Sequence, residues 1–239
     1  MKAKELHRWD VSPAEARQLQ MELAALVSRE NSLREPSLIA GSDISAPDSS
    51  GAARVAVVVL SFPGLELVET KVTSGKLSFP YVPGLLSFRE APLLLATFER
   101  LTVSPDLIMV DGQGYAHPRR MGIASHLGLL LDTPTIGCAK SRLCGTHDAV
   151  GEAPGSYSEL VDNGEVIGAA LRTKERSRPL YVSIGHKVDL AAAVRWVMAC
   201  AHGYRLPEPT RLAHLVAVGH DLSSLRQRAA NAAATYKRG

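Results

Sequence analysis

Four side chains spread along this sequence are of the types that act on phosphates: Asp43, Glu90, Asp111 and Lys140. Asp43 interrupts the run Ile39-Ala40-Gly41-Ser42-Asp43-Ile44-Ser45, where an acid must be paired, solvated in a cleft or bound to a metal. A strand-end residue in solvent explains the pattern equally well, because acids are depleted from strands only statistically. Asp111 is more informative. It ends Leu107-Ile108-Met109-Val110, the carboxyl end of an expected parallel strand, where α/β sheets tend to bind ligands. Glu90, just inside the helix expected after Ser87, is a third carboxylate; taken alone it is explained more simply by the favourable field of a helix N-terminus. Three oxygen donors from separate elements nevertheless suit Mg²⁺, which keeps several waters and is completed by substrate phosphate. Lys140 follows the apolar residues 135–139 and would stand at the same sheet end as Asp111. A lysine there can hold an attacking water or neutralise a phosphate, although most lysines are solvated surface charges.

Two loops could supply binding. Asp111-Gly112-Gln113-Gly114-Tyr115-Ala116-His117-Pro118-Arg119-Arg120 is the densest polar constellation in the chain. Gly112 and Gly114 would let backbone approach a ligand, His117 could bond to a base or a phosphate, and Arg119 and Arg120 could hold phosphate oxygens. A loop with a satisfied histidine and a solvated arginine pair fits the bare pattern equally well, since it is neither the P-loop nor the dinucleotide fingerprint. Pro80-Tyr81-Val82-Pro83-Gly84 is stiff and presents an aromatic ring that could enter a base stack as a wedge; the alternative is a loop pinned to the core by Tyr81. Backbone groups near Gly84, Leu86 and Gly112 could read the edge of a flipped base. Nothing in composition or spacing specifies which base.

The elements that must position these residues follow from periodicity and punctuation. Ser12-Pro13-Ala14-Glu15 reads as a capping box with proline at the first helical position, predicting a helix through Leu23, Leu26 and Val27. Residues 38–44, 55–61 and 65–73 read as three strands joined by short turns, hence antiparallel neighbours. After a loop at 79–88, helices are expected over 89–101 and about 121–131, with strands at 107–110 and 135–139. Asp162-Asn163-Gly164-Glu165 looks like the tight turn of a later hairpin. Asp189 would cap a helix over 190–201 closed by Gly203, and a last helix after Pro209 would carry Arg211 and His214. This order matches an α/β, ribonuclease H-like mixed sheet, three antiparallel strands followed by parallel strands, flanked by helices. In it the fourth strand lies beside the first, so Asp43 and Asp111 become neighbours; spacing alone leaves many other carboxylate pairings open.

The 239 residues, 46% of them hydrophobic, can build one sizeable core, read as a single domain over 1–239. A net charge of +3 is only a mild hint of a polyanionic partner. Cys138, Cys144 and Cys200 lack the close pairing of a zinc ribbon or redox motif and fit reduced thiols in a cytoplasm. No segment reaches the roughly 20 apolar residues of a membrane span.

Long stretches of the chain closely resemble the endonuclease V family. They are Gly41-Ser42-Asp43-Ile44-Ser45, the run from Pro80-Tyr81-Val82-Pro83-Gly84 through Leu85-Leu86-Ser87-Phe88-Arg89-Glu90, and Val110-Asp111-Gly112-Gln113-Gly114 through His117-Pro118-Arg119 to Gly122-Ile123-Ala124-Ser125-His126-Leu127-Gly128. Thr135-Ile136-Gly137-Cys138-Ala139-Lys140-Ser141 and Arg205-Leu206-Pro207-Glu208-Pro209-Thr210-Arg211-Leu212-Ala213-His214 extend the likeness over nearly the whole chain. The resemblance implies a DNA repair endonuclease that hydrolyses the second phosphodiester bond 3′ to deoxyinosine and leaves a 3′-hydroxyl and a 5′-phosphate. It also implies Mg²⁺ as cofactor, with Mn²⁺ able to substitute. By matching positions, Asp43 and Asp111 would be metal ligands, Glu90 and His214 would complete or support the metal site, Lys140 would assist the attacking water, and Tyr81 would be the wedge. Pro83, Gly84, Leu86, Gly112, His117, Gly122 and Ile123 would border the lesion pocket. Cys138 stands where valine is expected, and Ser42 where another small residue is; neither change removes a catalytic group. The tail from about residue 221, with Arg226, Arg228, Lys237 and Arg238, matches nothing in the family. The expected setting is a cytoplasmic monomer acting on deoxyinosine-containing DNA, with no membrane. Inosine-containing RNA is the rival substrate, and a non-cutting inosine-binding module the rival class.

Overall fold

A computed structural model of the chain describes residues 1–222, so the basic tail residues named above lie outside the described residues. Eight strands form one mixed sheet: β1 (Leu38–Ile44), β2 (Ala52–Ser61), β3 (Leu67–Lys76), β4 (Leu107–Val110), β5 (Thr135–Ala139), β6 (Tyr157–Asp162), β7 (Glu165–Leu171) and β8 (Leu180–His186). Their spatial order is β3-β2-β1-β4-β5-β8-β7-β6. β1 to β3 form an antiparallel meander, and β4 and β5 lie parallel to β1. The expected mixed sheet is present, three antiparallel strands followed by the parallel β4 and β5; beyond them β8 runs antiparallel to β5, and β7 and β6 continue as antiparallel neighbours.

Helices cover both faces: α1 (Pro13–Ala24), α2 (Leu86–Phe98), α3 (Ile123–Leu131), α4 (Leu190–Ala199) and α5 (Glu208–Ala217). Among the described residues no helix is long and apolar enough to cross a membrane. Central strands buried on both faces need apolar residues at successive positions rather than alternate ones. β2 buries Val55 to Leu60 without interruption, and β4 and β5 are buried throughout. β3, at the sheet edge, instead carries Glu69, Lys71 and Thr73 at half-exposed positions, which blunts the edge. Ala40, Val57 and Ile108 pack with α2 and α3, whereas Ile39, Met109 and Ile136 pack with α4 on the other face. By the two-residue period, Gly41 and Asp43 share the face of Ile39, and there α5 lies across β1.

Boundaries moved where local chemistry was misread. The Ser12 capping box forms as expected, and Asp189 accepts from the Ala192 N–H. α2, however, begins at Leu86 rather than Arg89, with no side-chain cap, so Ser87 lies inside the helix. α4 ends at Ala199, before Gly203. β3 starts at Leu67 because Leu65 takes a left-handed conformation in the preceding turn. The Asp162 to Glu165 hairpin is present, with Asn163 and Gly164 both at positive φ as a type I′ turn demands.

α5 packs directly against the backbone of β1. A Cβ on Gly41 would sit 2.0 Å from the carbonyl carbon and oxygen of Pro209, atoms of a backbone that cannot rotate away. Gly41→Ala should therefore lift α5 and cost about 1–3 kcal/mol of stability by overpacking. Urea unfolding checks this; a midpoint equal to the wild type would contradict the packing described.

Candidate active site

The parallel register of β1 and β4 decides where the carboxylates meet. Ser42 pairs with Val110, the Asp111 N–H donates to the Ser42 carbonyl at 3.1 Å, and the next residue on each strand is an aspartate. α5, seated on Gly41, brings in a third group: His214 Nδ1 lies 2.7 Å from Asp43 Oδ2. One ligand atom from each of Asp43, Asp111 and His214 falls within 4.8 Å of the other two. Lys140, one residue past β5, forms an ion pair with Asp111 Oδ2, a buried oxygen that accepts no well-aligned hydrogen bond. The other Asp43 oxygen accepts from the Ile44 N–H at 2.8 Å. Arg205 donates to the carbonyl of Lys140 and to that of Pro179, tying the loop after β5 to the approach to β8.

Charge and burial oppose each other here. Asp43 is buried, and that burial, with the Asp111 charge, raises its pKa; the hydrogen bond from His214 and the Lys140 charge work the other way. Glu90 stands one turn inside α2, beyond the first turn, so the helix dipole does not account for it. Burial first, then the charges of Asp43 and Asp111, push its carboxyl up to about 8 against the pull of Arg89. Glu90 thus lies close enough to feel both aspartates without belonging to the tight trio. Two carboxylates, one of them with a buried oxygen that accepts no well-aligned hydrogen bond, and an imidazole form a donor set that fits a divalent cation.

Beside the trio opens a cleft of about 430 Å³. Asp111 and Lys140 line it, and so do all of the residues named for the base pocket. Tyr81 stands at its edge, 73% exposed, so its ring is not pinned to the core. Pro83 and Gly84 are the two central residues of a turn closed by the Leu85 N–H on the Val82 carbonyl, and Gly84 takes φ +77°, which explains Pro-Gly at these positions.

The two arginines of the long polar loop do not serve as free phosphate ligands. Arg119 donates to Gln20 Oε1 at 2.6 Å and to the Gly84 carbonyl at 2.8 Å, while Arg120 is held by Asp162 and Glu165. His117, 3% exposed, has both ring nitrogens engaged: Nδ1 accepts from the Arg119 N–H and Nε2 faces the Gly84 carbonyl at 3.0 Å. It is therefore a neutral Nε2–H tautomer that holds the turn, with neither nitrogen left for a base or a phosphate. These side chains satisfy the loop's own backbone, a demand that residue types do not disclose. Gln20 was missed altogether, and Gly41 was read only as part of a motif without a role, since a lone glutamine in an amphipathic helix and a glycine in a strand carry no distinctive spacing.

Fold and site together define an α/β protein with an acidic cluster that could hold a metal ion, set beside a cleft. The endonuclease V family model matches residues 21–215. A curated relative from Dehalococcoides mccartyi, named Endonuclease V, is 54% identical over 217 residues, covering 91% of this chain and 97% of its own. The crystal structure of Endonuclease V from Streptomyces avermitilis superposes with a TM-score of 0.82 at 39% identity, covering 95% of this chain and 96% of that one. Endonuclease V from Ciona intestinalis, solved in complex with a 24mer DNA containing an inosine followed by a ribo-adenosine, superposes with a TM-score of 0.76 at 29% identity, covering 90% and 98%. The chain belongs to the endonuclease V family and is a nuclease.

Burial, and then the Arg119 charge, lower the His117 pKa to about 4 in the folded protein, against the hydrogen bond to Gly84. An unfolded histidine titrates near about 6.5. Protonation thus favours the unfolded chain, so this contribution to stability is complete above the unfolded value and is lost as pH falls towards and through the folded one. His117→Gln, which preserves a donor and an acceptor but cannot titrate, should flatten the decline in urea-unfolding stability between pH 6.5 and 4, by up to about 1.4 kcal/mol per pH unit. Equal slopes for the two proteins would contradict the buried neutral tautomer.

Proposed function

We propose that this nuclease is a DNA repair endonuclease directed to deoxyinosine, hydrolysing the second phosphodiester bond 3′ to the lesion and leaving a 3′-hydroxyl and a 5′-phosphate. The observation that carries the reading is the shared wall: Asp111 and Lys140 belong both to the carboxylate centre and to a cleft whose rim carries an exposed tyrosine. The inosine-containing DNA bound by the Ciona intestinalis enzyme supports the same substrate class.

Asp43, Asp111 and His214 would hold Mg²⁺, or Mn²⁺ in its place, with Glu90 alongside. When bound, such an ion stabilises charge developing on the phosphate and makes its coordinated water easier to deprotonate. The Lys140 ammonium, anchored on Asp111, orients the attacking water and offsets negative charge on the phosphoryl oxygens. The water oxygen bonds to phosphorus and gives up a proton to solvent, the bond from phosphorus to the 3′-oxygen breaks, and that oxygen takes up a proton from solvent to become the 3′-hydroxyl. Tyr81 enters the stack as a wedge while the base swings into the cleft, and extrusion costs least for a weakly paired base. Backbone groups of Gly84, Leu86 and Gly112 then accept hypoxanthine, where the exocyclic amine of adenine or guanine would be misplaced.

The ribo-adenosine after the inosine in the Ciona intestinalis complex motivates a second reading, inosine-containing RNA as substrate, with the same centre and added 2′-hydroxyl contacts. End-labelled strands carrying one deoxyinosine, or one ribo-inosine in an RNA context, separate the two. The expected result is a Mg²⁺-dependent nick one nucleotide beyond deoxyinosine, abolished by chelator and slowed roughly 10³-fold or more by Asp43→Ala. Cutting confined to the RNA strand would move the function to RNA, and binding without a nick would make the protein a binding module.

A further inference from the structure

Gln20 lies in α1, one residue before the segment matched by the family model, and only 1% of it is exposed. Its side-chain amide makes three of its four possible bonds, with both donors used. Nε2 donates to the Gly84 carbonyl and to the Met121 carbonyl, each at 3.0 Å, and Oε1 accepts from Arg119 Nε at 2.6 Å. Only this orientation of the amide satisfies all three partners, since an arginine has no acceptor and a carbonyl no donor. Both carbonyls belong to residues that line the cleft: Gly84 ends the wedge loop, and Met121 precedes Gly122 and the start of α3. Gln20, which joins them, lines the cleft as well. The Gly84 carbonyl also receives Arg119 Nη2 and His117 Nε2, so three donors from three separate side chains converge on one oxygen.

Three donors exceed the two lone pairs of a carbonyl, and that excess is hard to explain as mere satisfaction of a buried acceptor. It makes sense as fixation of one peptide plane in a turn whose position sets the width of the cleft. A base recognised largely by backbone groups has no flexible side chain to adapt to it, so selectivity depends on how rigidly those groups are held.

We propose that Gln20 is a positioning residue for lesion recognition, tying the Gly84 turn to the Met121 segment and so fixing the backbone that lines the cleft for the flipped base. The inference rests on the deoxyinosine reading above. Gln20 touches neither the reacting phosphate nor the carboxylate centre, and its effect is exerted through Gly84, Met121 and Arg119.

The test uses the full-length protein and labelled duplexes carrying deoxyinosine or adenine at one position, with Mg²⁺ for turnover and binding measured by fluorescence anisotropy in Ca²⁺. Gln20→Glu keeps an acceptor for Arg119 but removes both donors to the walls, and Gln20→Met removes all three bonds at similar volume. Both should raise KM for the inosine strand about tenfold, leave kcat within about twofold, and weaken inosine binding without changing affinity for the adenine strand. Arg119→Lys, which removes the Nε contact to Gln20 from a half-exposed position, should show the same selective loss and add little to that of Gln20→Met in the double variant. Melting temperatures are measured on every variant. An unchanged ratio of inosine to adenine affinity would overturn the proposal, and so would kcat and KM changing together with a matching loss on the adenine strand. If the wild type itself fails to prefer inosine, the functional reading fails, and this outcome is visible before any variant is compared.

Discussion

Two carboxylates placed on adjacent strand ends repel, and the rest of the site is arranged around that repulsion. With ligand atoms of Asp43 and Asp111 less than 5 Å apart, two full charges at an effective dielectric of about 20 oppose each other by about 3 kcal/mol. The sheet enforces the pairing, because the register of β1 on β4 leaves no freedom to separate the two residues. Compensation comes from groups delivered by other elements: Lys140 from the end of β5 to Asp111, and His214 from α5 to Asp43. Glu90, buried and reached by the same field with only the neighbouring Arg89 in return, has its carboxyl pushed up to about 8. A centre built this way is under electrostatic stress that a divalent cation would relieve.

The cleft follows a different logic. Polar side chains beside it that would ordinarily be read as ligand contacts are consumed in holding the backbone of its lining. His117 and Arg119 both face the Gly84 carbonyl, while Arg120 is clamped by the β6–β7 turn through Asp162 and Glu165. Rigidity of a reading surface matters more when the readers are peptide groups, since they cannot rotate towards a poor fit. The two halves of the site meet at Asp111 and Lys140, which couples recognition to the centre through a single loop after β4 and a single residue after β5.

Much of this was legible in the sequence, for identifiable reasons. The meander, the parallel β4 and the hairpin at Asp162 announce themselves through β-branched runs and turn residues, and from them the adjacency of Asp43 and Asp111 follows by topology. The long motifs shared with the endonuclease V family pointed to His214, which spacing alone could not have linked to a residue 171 positions away. β8 went unseen because its short run after Pro179 lacks polar alternation, being buried on nearly every position. Gln20 was invisible for another reason, and so were the roles of Gly41 and Arg205, although both stand in the shared motifs: each matters for a contact across the tertiary structure, to backbone atoms that any residue type would present. Residue type reveals donors and acceptors, whereas the fold decides which of them are already spent.

The central claim is that Asp43, Asp111 and His214 form one cation site on the β1–β4 register. Crystals soaked in Mn²⁺ and measured near the manganese absorption edge test it directly. The account predicts an anomalous peak in coordination contact with Asp43 and Asp111, at about 2.0–2.2 Å for an octahedral ion of this size, and its loss in Asp43→Ala. A peak elsewhere in the molecule, or one that persists when Asp43 is removed, would contradict the assignment of the centre and with it the mechanism built on it.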